Sequence, residues 1–304
     1  MRRILGLVAA MGLATVAWAQ DEESPRYEDV FFNAREVWMA HETRHRADDD
    51  RIDSDVLYVL GNIANTMFHE FGHALVSEFE LPVEGSEEDE VDALANVVMV
   101  SETNSEYLDR MIEAVADDWF IQGEYDESQG PSEDGHSVPA DRAYAVVCIL
   151  VGSDPEYFGE VAENAGLEPA EQQECQGTYE DAHTRWDQAL AEHYLGENEE
   201  PSIEIPIEYG EPAEGQEMIA EFVQASGLIE DIVEQMRWTI RFPNPITVGV
   251  ESCGEENAFW SPDERKVTLC YEIVLGYYNR ATDQGPDAGL GQGDAEDEES
   301  DLEG

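Results

Sequence analysis

The chain has 304 residues, of which 42% are hydrophobic, enough to build the core of one large domain or two small ones. Its 71 acidic residues outnumber 15 basic ones, Lys266 is the single lysine, and the formal net charge is −56. A surface of this sign repels nucleic acid and anionic membranes, which excludes binding to either through bulk charge, and such a composition is typical of proteins from saline sources.

The N-terminus has the features of a secretory signal peptide. Arg2 and Arg3 precede a short apolar run, which ends in the cleavage pattern Ala17-Trp18-Ala19. A membrane anchor is the alternative, but this run is shorter than the roughly 20 residues that span a bilayer. The sequence therefore predicts a signal peptide over residues 1–19, cleaved near Ala19, and a secreted or periplasmic protein without stable membrane insertion.

Two helices joined by a short turn are predicted over residues 54–102. Apolar residues recur at helical spacing through residues 54–80, and Pro82 and Gly85 then indicate a turn. Ser86 is a candidate N-cap for the second helix. Further helical segments are predicted at about 103–122, 139–151, in pieces through 155–196, and at 216–238. An acidic linker or surface loop is predicted over 197–215.

Residues of high β-propensity become frequent near the C-terminus. The segments ITVGVESC and KVTLCYEIV, separated by SPDER, predict a β-hairpin within residues 244–275. Residues 281–304 are mostly Gly, Asp and Glu, which predicts a disordered acidic tail. The predicted fold class is therefore α+β: a single, mainly helical domain over residues 20–280 with a small C-terminal sheet.

Four cysteines in an exported chain favour disulfides. The chain contains no C-x-x-C sequence, which argues against zinc ligation by these thiols. Each of two pairs is close in sequence and lies in its own segment. We therefore expect the disulfides Cys148–Cys175 and Cys253–Cys270.

The first predicted helix carries the sequence HEFGH, in which His69 and His73 are four residues apart. At this spacing both imidazoles project from one face of a helix and can bind one metal ion, with Glu70 beside it as a general base. In a chain this rich in glutamate the pattern can also arise from two surface histidines. A catalytic zinc site further requires a third protein ligand and an open coordination position.

The second predicted helix offers that ligand in the sequence EEDEVD. Glu88 and Asp92 lie on one face, so Glu88 can bind the metal while Asp92 accepts a hydrogen bond from a ligand histidine. Glu87 and Asp89 are rival ligands. An acidic first turn favoured by the helix dipole is the alternative explanation for these carboxylates.

Two later segments carry groups suited to binding a peptide. His136 and Arg142 flank the start of a predicted helix, where the histidine could stabilise an oxyanion and the arginine could grip a backbone carbonyl. In the sequence NAFW, Asn257 and Ala258 could bind the main chain of an extended substrate at a sheet edge. Each segment also has an ordinary structural explanation, as a paired histidine and arginine or as an aromatic strand end packed on the core.

Together these motifs resemble the active site of neprilysin-type gluzincin metallopeptidases. That family carries H-E-x-x-H, a later E-x-x-x-D, a histidine with an arginine six residues after it, and an N-A-[FY]-[YFW] strand that binds substrate. The chain has His69 to His73, Glu88 to Asp92, His136 with Arg142, and Asn257 to Trp260. The resemblance implies a zincin-like domain. In neprilysin-like enzymes the Asn-Ala strand precedes the zinc helix, whereas here it follows, which implies a permuted and shortened frame.

Over residues 25–280 the chain resembles a bacterial family, domain of unknown function 4344, whose members are assigned as metallopeptidases from their motifs. The shared segments run from Pro82 to Asp92, from His136 to Cys148 with a following Gly-Ser-Asp-Pro, and from Cys253 to Glu272. This resemblance supports the predicted fold and leaves the substrate open.

The sequence therefore predicts an exported metallopeptidase that holds one Zn²⁺ per chain and hydrolyses peptide bonds with a zinc-activated water. His69, His73 and Glu88 are the expected ligands. The expected partner is a peptide or protein substrate. Two alternatives remain open: a catalytically silent, metal-stabilised domain that binds peptides or a protein surface, and an amidase acting on cell-wall peptides.

Overall fold

The computed structural model describes residues 27–41, 49–83, 85–101, 106–125, 137–196, 198–201 and 203–284. The signal peptide predicted over residues 1–19 lies outside the described residues, as does the predicted acidic tail from residue 285 onward.

Helices make up most of the described structure, so the predicted class, mainly helical α+β, is confirmed. The helices are α1 (Tyr27–His41), α2 (Asp49–Phe79), α3 (Glu87–Ser101), α4 (Glu106–Tyr125), α5 (Pro139–Ser153), α6 (Gly159–Asn164), α7 (Pro169–Leu190), α8 (Glu217–Ser226), α9 (Leu228–Thr239) and α10 (Tyr271–Gln284). The strands are β1 (Ile207–Tyr209), β2 (Thr247–Glu251), β3 (Ala258–Ser261) and β4 (Lys266–Cys270).

Helix α2 is the centre of the fold. It has 31 residues and is therefore roughly 46 Å long. It packs against α1, α3, α4 and α10, and also against β3 and β4. A helix covered on most sides must be apolar nearly all round. Its apolar pattern extends further towards the N-terminus than predicted, because Ile52 is fully buried.

Two helical predictions need correction. The segment predicted as one helix over 216–238 forms α8 and α9, because Gly227 adopts φ 76° and ends α8 in the left-handed conformation. Residues 27–41, where no element is predicted, form α1, which buries Val30, Phe31 and Trp38. Strand β1 likewise lies within the predicted linker 197–215.

The predicted hairpin between the segments ITVGVESC and KVTLCYEIV is wrong in its pairing. The strand order is β1-β2-β4-β3, with β2 and β4 parallel and β3 antiparallel to β4. The chain leaves β2, forms the edge strand β3, and turns through residues 262–265 into β4, which lies between them. Strand β3 therefore supplies the crossover that parallel neighbours require.

Helix α10 replaces the predicted end of the hairpin and the predicted start of the tail at residue 281. It begins at Tyr271, directly after β4. Tyr271, Val274, Tyr277 and Ala281 are all buried, and this is helical spacing. Their burial against the core explains why the chain continues as a helix to Gln284.

Both expected cysteine pairs are joined in the structure. Cys148 of α5 is bonded to Cys175 of α7, and Cys253, before β3, is bonded to Cys270 at the end of β4. The second bond fixes the loop that leads into the edge strand. Among the described residues, no helix combines the length and apolar character needed to cross a membrane.

Candidate metal centre

Helices α2 and α3 form a closely packed pair joined by residues 80–86. Glu80 and Gly85 both adopt positive φ in this turn, at 52° and 95°. Gly72 faces α3, where an added Cβ would lie 2.8 Å from the Cβ of Val91. The absence of a side chain at Gly72 therefore lets the first turns of α3 approach the histidine face of α2.

Three ligand atoms converge between these helices. The Nε2 atoms of His69 and His73 lie 3.2 Å apart, and each lies 3.2 Å from Oε2 of Glu88. Among the described residues, His69, His73 and Glu88 form one of two groups of His, Cys, Asp and Glu that could hold a metal ion. The other consists of Cys253, Cys270 and Glu272, and its two sulfurs are already joined in a disulfide.

Carboxylates on α3 set the orientation of both imidazoles. Nδ1 of His69 lies 2.7 Å from Oδ1 of Asp92, and Nδ1 of His73 lies 2.8 Å from Oε1 of Glu87. A carboxylate oxygen can only accept a hydrogen bond, so the Nδ1 atom of each neutral ring carries the proton that it donates. The unprotonated Nε2 atoms then direct their lone pairs towards Glu88. Of the two rival ligands, Glu87 therefore binds the far side of His73, and Asp89 accepts a hydrogen bond from Ser137 at 2.7 Å.

The electrostatic field between the helices favours positive charge. Burial by itself lowers the pKa of His69, but hydrogen bonds to Asp92 and Glu88 outweigh burial and raise the pKa to about 9. The pKa of His73 is also raised, because bonds to Glu88 and Glu87 exceed the effect of burial. A field that stabilises a proton on these rings also stabilises a metal cation between them.

Glu70 lies beside this cluster and is buried, with 7% of its surface exposed. Burial raises its pKa, while the nearby rings of His69 and His73 lower it in part. The backbone N–H of Trp260 in β3 donates a hydrogen bond to its carboxylate. A carboxylate held in place with a raised pKa has the properties of a general base.

Arg142 and Asp92 form a partly buried pair behind His69. Arg142 Nη2 donates to Oδ1 of Asp92 at 2.6 Å, and the guanidinium lies 3.7 Å from the ring centroid of Trp119. Burial opposes ionisation of Asp92, but the bond from His69 and the charge of Arg142 lower its pKa. Nε of Arg142 is buried without an acceptor among the described residues. Arg142 is thus bonded to the cluster through Asp92, and its Nε donor has no hydrogen-bond partner among the described residues.

The edge strand β3 lies against α2, next to the cluster. The carbonyl of Asn257 accepts a hydrogen bond from the N–H of Cys270 at 3.1 Å, so this pair bonds within the sheet. In an antiparallel ladder the bonded pairs alternate, which turns the backbone groups of Ala258 and Trp260 away from β4. The N–H of Trp260 reaches Glu70, and Ala258 presents its backbone groups at the same edge.

The structure therefore brings most of the predicted site residues together. His69, Glu70, His73, Glu88, Asp92 and Arg142 lie within one network, and the strand that carries Ala258 borders it. His136 lies outside the described residues. The roles of Glu87, Trp119 and the Trp260 backbone were not anticipated, although Glu87 stands in the acidic turn that the sequence singles out.

A family model described as "Putative metallopeptidase", DUF4344, matches residues 24–190 and 209–300. The chain belongs to this family. A search of curated proteins finds no match, and a search of solved structures finds none. The description of this family suggests a hydrolase and implies a metal ion, which His69, His73 and Glu88 could hold.

Proposed function

We propose that the protein is an exported zinc metallopeptidase. The observation that carries this proposal is the triangle formed by two imidazole nitrogens and one carboxylate oxygen, each 3.2 Å from the others. At the Zn–ligand lengths found in proteins, neighbouring ligands of a tetrahedral site lie roughly 3.3 Å apart. The donor set and its spacing therefore fit zinc, and three protein ligands leave one position open.

The chain's own residues supply the rest of the chemistry. Bound zinc would supply a Lewis acid that lowers the pKa of water and polarises a carbonyl. Glu70 would accept a proton from the attacking water and pass it to the leaving amine. The bond from the Trp260 N–H keeps the Glu70 carboxylate directed along the edge of β3. Asp92 and Glu87 would hold the imidazoles in the tautomer that exposes Nε2.

The outer edge of β3, which no other strand pairs with in the part of the chain that the structure describes, supports a peptide substrate. An extended chain could pair with the backbone of Ala258 as an added strand, with Asn257 beside it. Arg142 lies in the same network as the histidines, which places its guanidinium close enough to the centre to grip a substrate carbonyl. His136 would stabilise the oxyanion.

Export is proposed on two grounds. The sequence of residues 1–19 has the pattern of a signal peptide. The chain also has two disulfides, which persist in oxidising compartments.

Elemental analysis of the purified chain tests the metal centre. We expect one zinc per chain, lost in His69→Ala and retained in His41→Ala, which removes an exposed histidine from α1. Absence of zinc from the wild-type protein after incubation with the metal would refute the centre.

Cleavage of unfolded casein tests the reaction. Chelator-sensitive cleavage is expected, and Glu70→Gln should retain zinc while turnover falls roughly 10²–10⁴-fold, because the general base is removed. A Glu70→Gln protein with wild-type turnover would contradict the assignment. Zinc binding without cleavage of casein or cell-wall peptides would favour a metal-stabilised binding domain instead.

A further inference from the structure

Glu78 is a buried carboxylate that the proposed chemistry does not use. It lies on α2 two turns beyond Glu70, and only 5% of its side chain is exposed. Its Oε1 accepts a hydrogen bond from Nε of Arg265 at 2.8 Å, and its Oε2 accepts one from Nδ2 of Asn244 at 2.8 Å. Both oxygens of a buried charge are thus committed to the segments around the sheet.

Arg265 is the last residue of the turn between β3 and β4. It adopts φ 51°, a conformation that a non-glycine residue rarely takes, and its carbonyl accepts a hydrogen bond from Thr247 of β2 at 2.9 Å. The backbone of the turn is therefore fixed to the sheet, while its side chain is fixed to α2.

The edge strand is consequently attached to α2 at two points. At the first, the N–H of Trp260 bonds to Glu70; at the second, Arg265 bonds to Glu78. The two glutamates are eight residues apart on one helix, roughly 12 Å along its axis. Two attachments at this separation fix both the position and the direction of β3 relative to the histidine face of α2.

We propose that the Glu78–Arg265 pair is a positioning device that holds β3 in the alignment needed to bind the substrate backbone. This inference rests on the proposed peptidase function. Glu78 and Arg265 act through the strand, and neither contacts the metal-binding triangle. The device concerns substrate affinity and leaves the chemical step to the residues of the cluster.

Kinetics of Arg265→Ala test the device, with a fluorogenic octapeptide built on a bond that the wild-type protein cleaves in casein. We expect KM to rise about tenfold, the loss of one charge-assisted hydrogen bond, while kcat changes less than about threefold. Arg265→Lys keeps the charge at the same backbone position and should restore KM to within about threefold of wild type. A merely structural role would lower activity in proportion to the folded fraction and leave KM unchanged.

Arg35→Ala is the matched control. Arg35 pairs with Asp53 at the opposite end of α2, so the variant removes a similar ion pair from the same helix, far from β3. Its KM and kcat should equal those of the wild type. Arg265→Ala with wild-type KM, or an Arg35→Ala variant with the same change, would overturn the proposal.

Hydrogen–deuterium exchange separates this proposal from the peptidase function. In Arg265→Ala, amides of residues 259–261 should exchange at least about tenfold faster, while those of β2 should not change. Faster exchange in a protein that cleaves no peptide would retain the attachment of β3 and refute the peptidase function. Unchanged exchange in an active protein would refute the device alone.

Discussion

The arrangement of α3 carboxylates around His69 and His73 determines what the two imidazoles can do. Asp92 and Glu87 each accept a hydrogen bond from the Nδ1 atom of one histidine. The lone pairs of both Nε2 atoms therefore face each other and a carboxylate oxygen of Glu88. Three electron-rich atoms at this separation repel one another unless a cation lies among them. Asp92 also links Arg142 to the cluster, because the oxygen that pairs with His69 accepts a second hydrogen bond, from Nη2 of Arg142.

Asp92→Asn tests how much this support contributes. The variant preserves the shape of the side chain but removes its negative charge, so both His69 and Arg142 lose a charged acceptor. We expect zinc affinity to fall about 10–100-fold, the usual effect of removing a carboxylate behind a metal ligand. Competition with a chromogenic chelator measures the affinity directly.

Asp89→Asn is the control for Asp92→Asn, since Asp89 lies on the same turn of α3 and bonds to Ser137 instead of a histidine. Its zinc affinity should stay within about threefold of wild type. Equal losses in the two variants would mean that the general negative charge of the α3 N-terminus, and not the bond to His69, supports the metal.

The sequence predicts part of this site because some of its residues lie close together along the chain. The four-residue spacing places His69 and His73 on one helical face, and the short turn brings the acidic start of α3 close to them. The choice among the neighbouring carboxylates Glu87, Glu88 and Asp89 was harder, since all three can bind a metal and which one faces the histidines depends on how α3 packs against α2. The contacts of Arg142 with Trp119 and of Glu70 with Trp260 join distant segments, and no local pattern encodes them.

The sheet shows the corresponding limit for secondary-structure elements. β-branched residues correctly indicated strands near β2 and β4, and both strands are buried centrally in the sheet. Burial on both faces leaves no alternation to indicate pairing, so the parallel register of β2 with β4 could not be read from the pattern. The sequence NAFW did indicate a strand at a sheet edge, where β3 lies, but nothing in its four residues indicated that its partner would be β4.

Helix α4 carries a row of acidic residues whose titration should affect stability. Asp109, Glu113 and Asp117 recur every four residues and therefore share one face. Burial, followed by the negative charges of Asp117 and Asp109, raises the pKa of Glu113 from 4.5 to about 7. The folded protein therefore retains a proton on Glu113 that the unfolded chain releases.

The sign of the pH effect follows from this difference. Below pH 4.5 the Glu113 carboxyl is protonated in both states, and between pH 4.5 and about 7 only the folded state holds the proton. The contribution of Glu113 to the free energy of unfolding therefore falls as pH rises through this window and remains low above it. Glu113→Gln should gain about 2 kcal/mol relative to wild type between pH 5 and pH 8.

Urea unfolding at pH 5, 6, 7 and 8 measures this difference. The same substitution at Glu180, an exposed residue of α7, controls for the loss of one negative charge. A stability difference between Glu113→Gln and wild type that stays constant from pH 5 to pH 8 would contradict the raised pKa.

At the scale of the whole molecule, the dominant feature is the net charge of −56. Several cationic side chains are already committed to carboxylates, as in the pairs Arg237–Glu234, Arg241–Glu199 and Arg185–Glu90. Most of the 71 acidic residues therefore have no cation available to neutralise them. Mutual repulsion among these carboxylates is stronger in the compact chain than in the unfolded one, so it destabilises the fold at low ionic strength.

Added salt should reverse this effect. Raising NaCl from 0.1 to 1 M shortens the Debye length from about 10 to about 3 Å, which screens the repulsion between surface carboxylates more than it weakens close ion pairs. We expect the free energy of unfolding, measured with urea, to rise by a few kcal/mol over this range, on the order of a quarter of the stability of an ordinary domain. KCl should act equally, because screening depends on ionic strength and not on the cation.

Electrostatic screening is largely complete by about 1 M, whereas stabilisation through exclusion of salt from the protein surface continues to grow with concentration. A stability that rises linearly to 3 M without levelling would therefore assign the effect to exclusion, and a fall with added salt would mean that the ion pairs outweigh the repulsion.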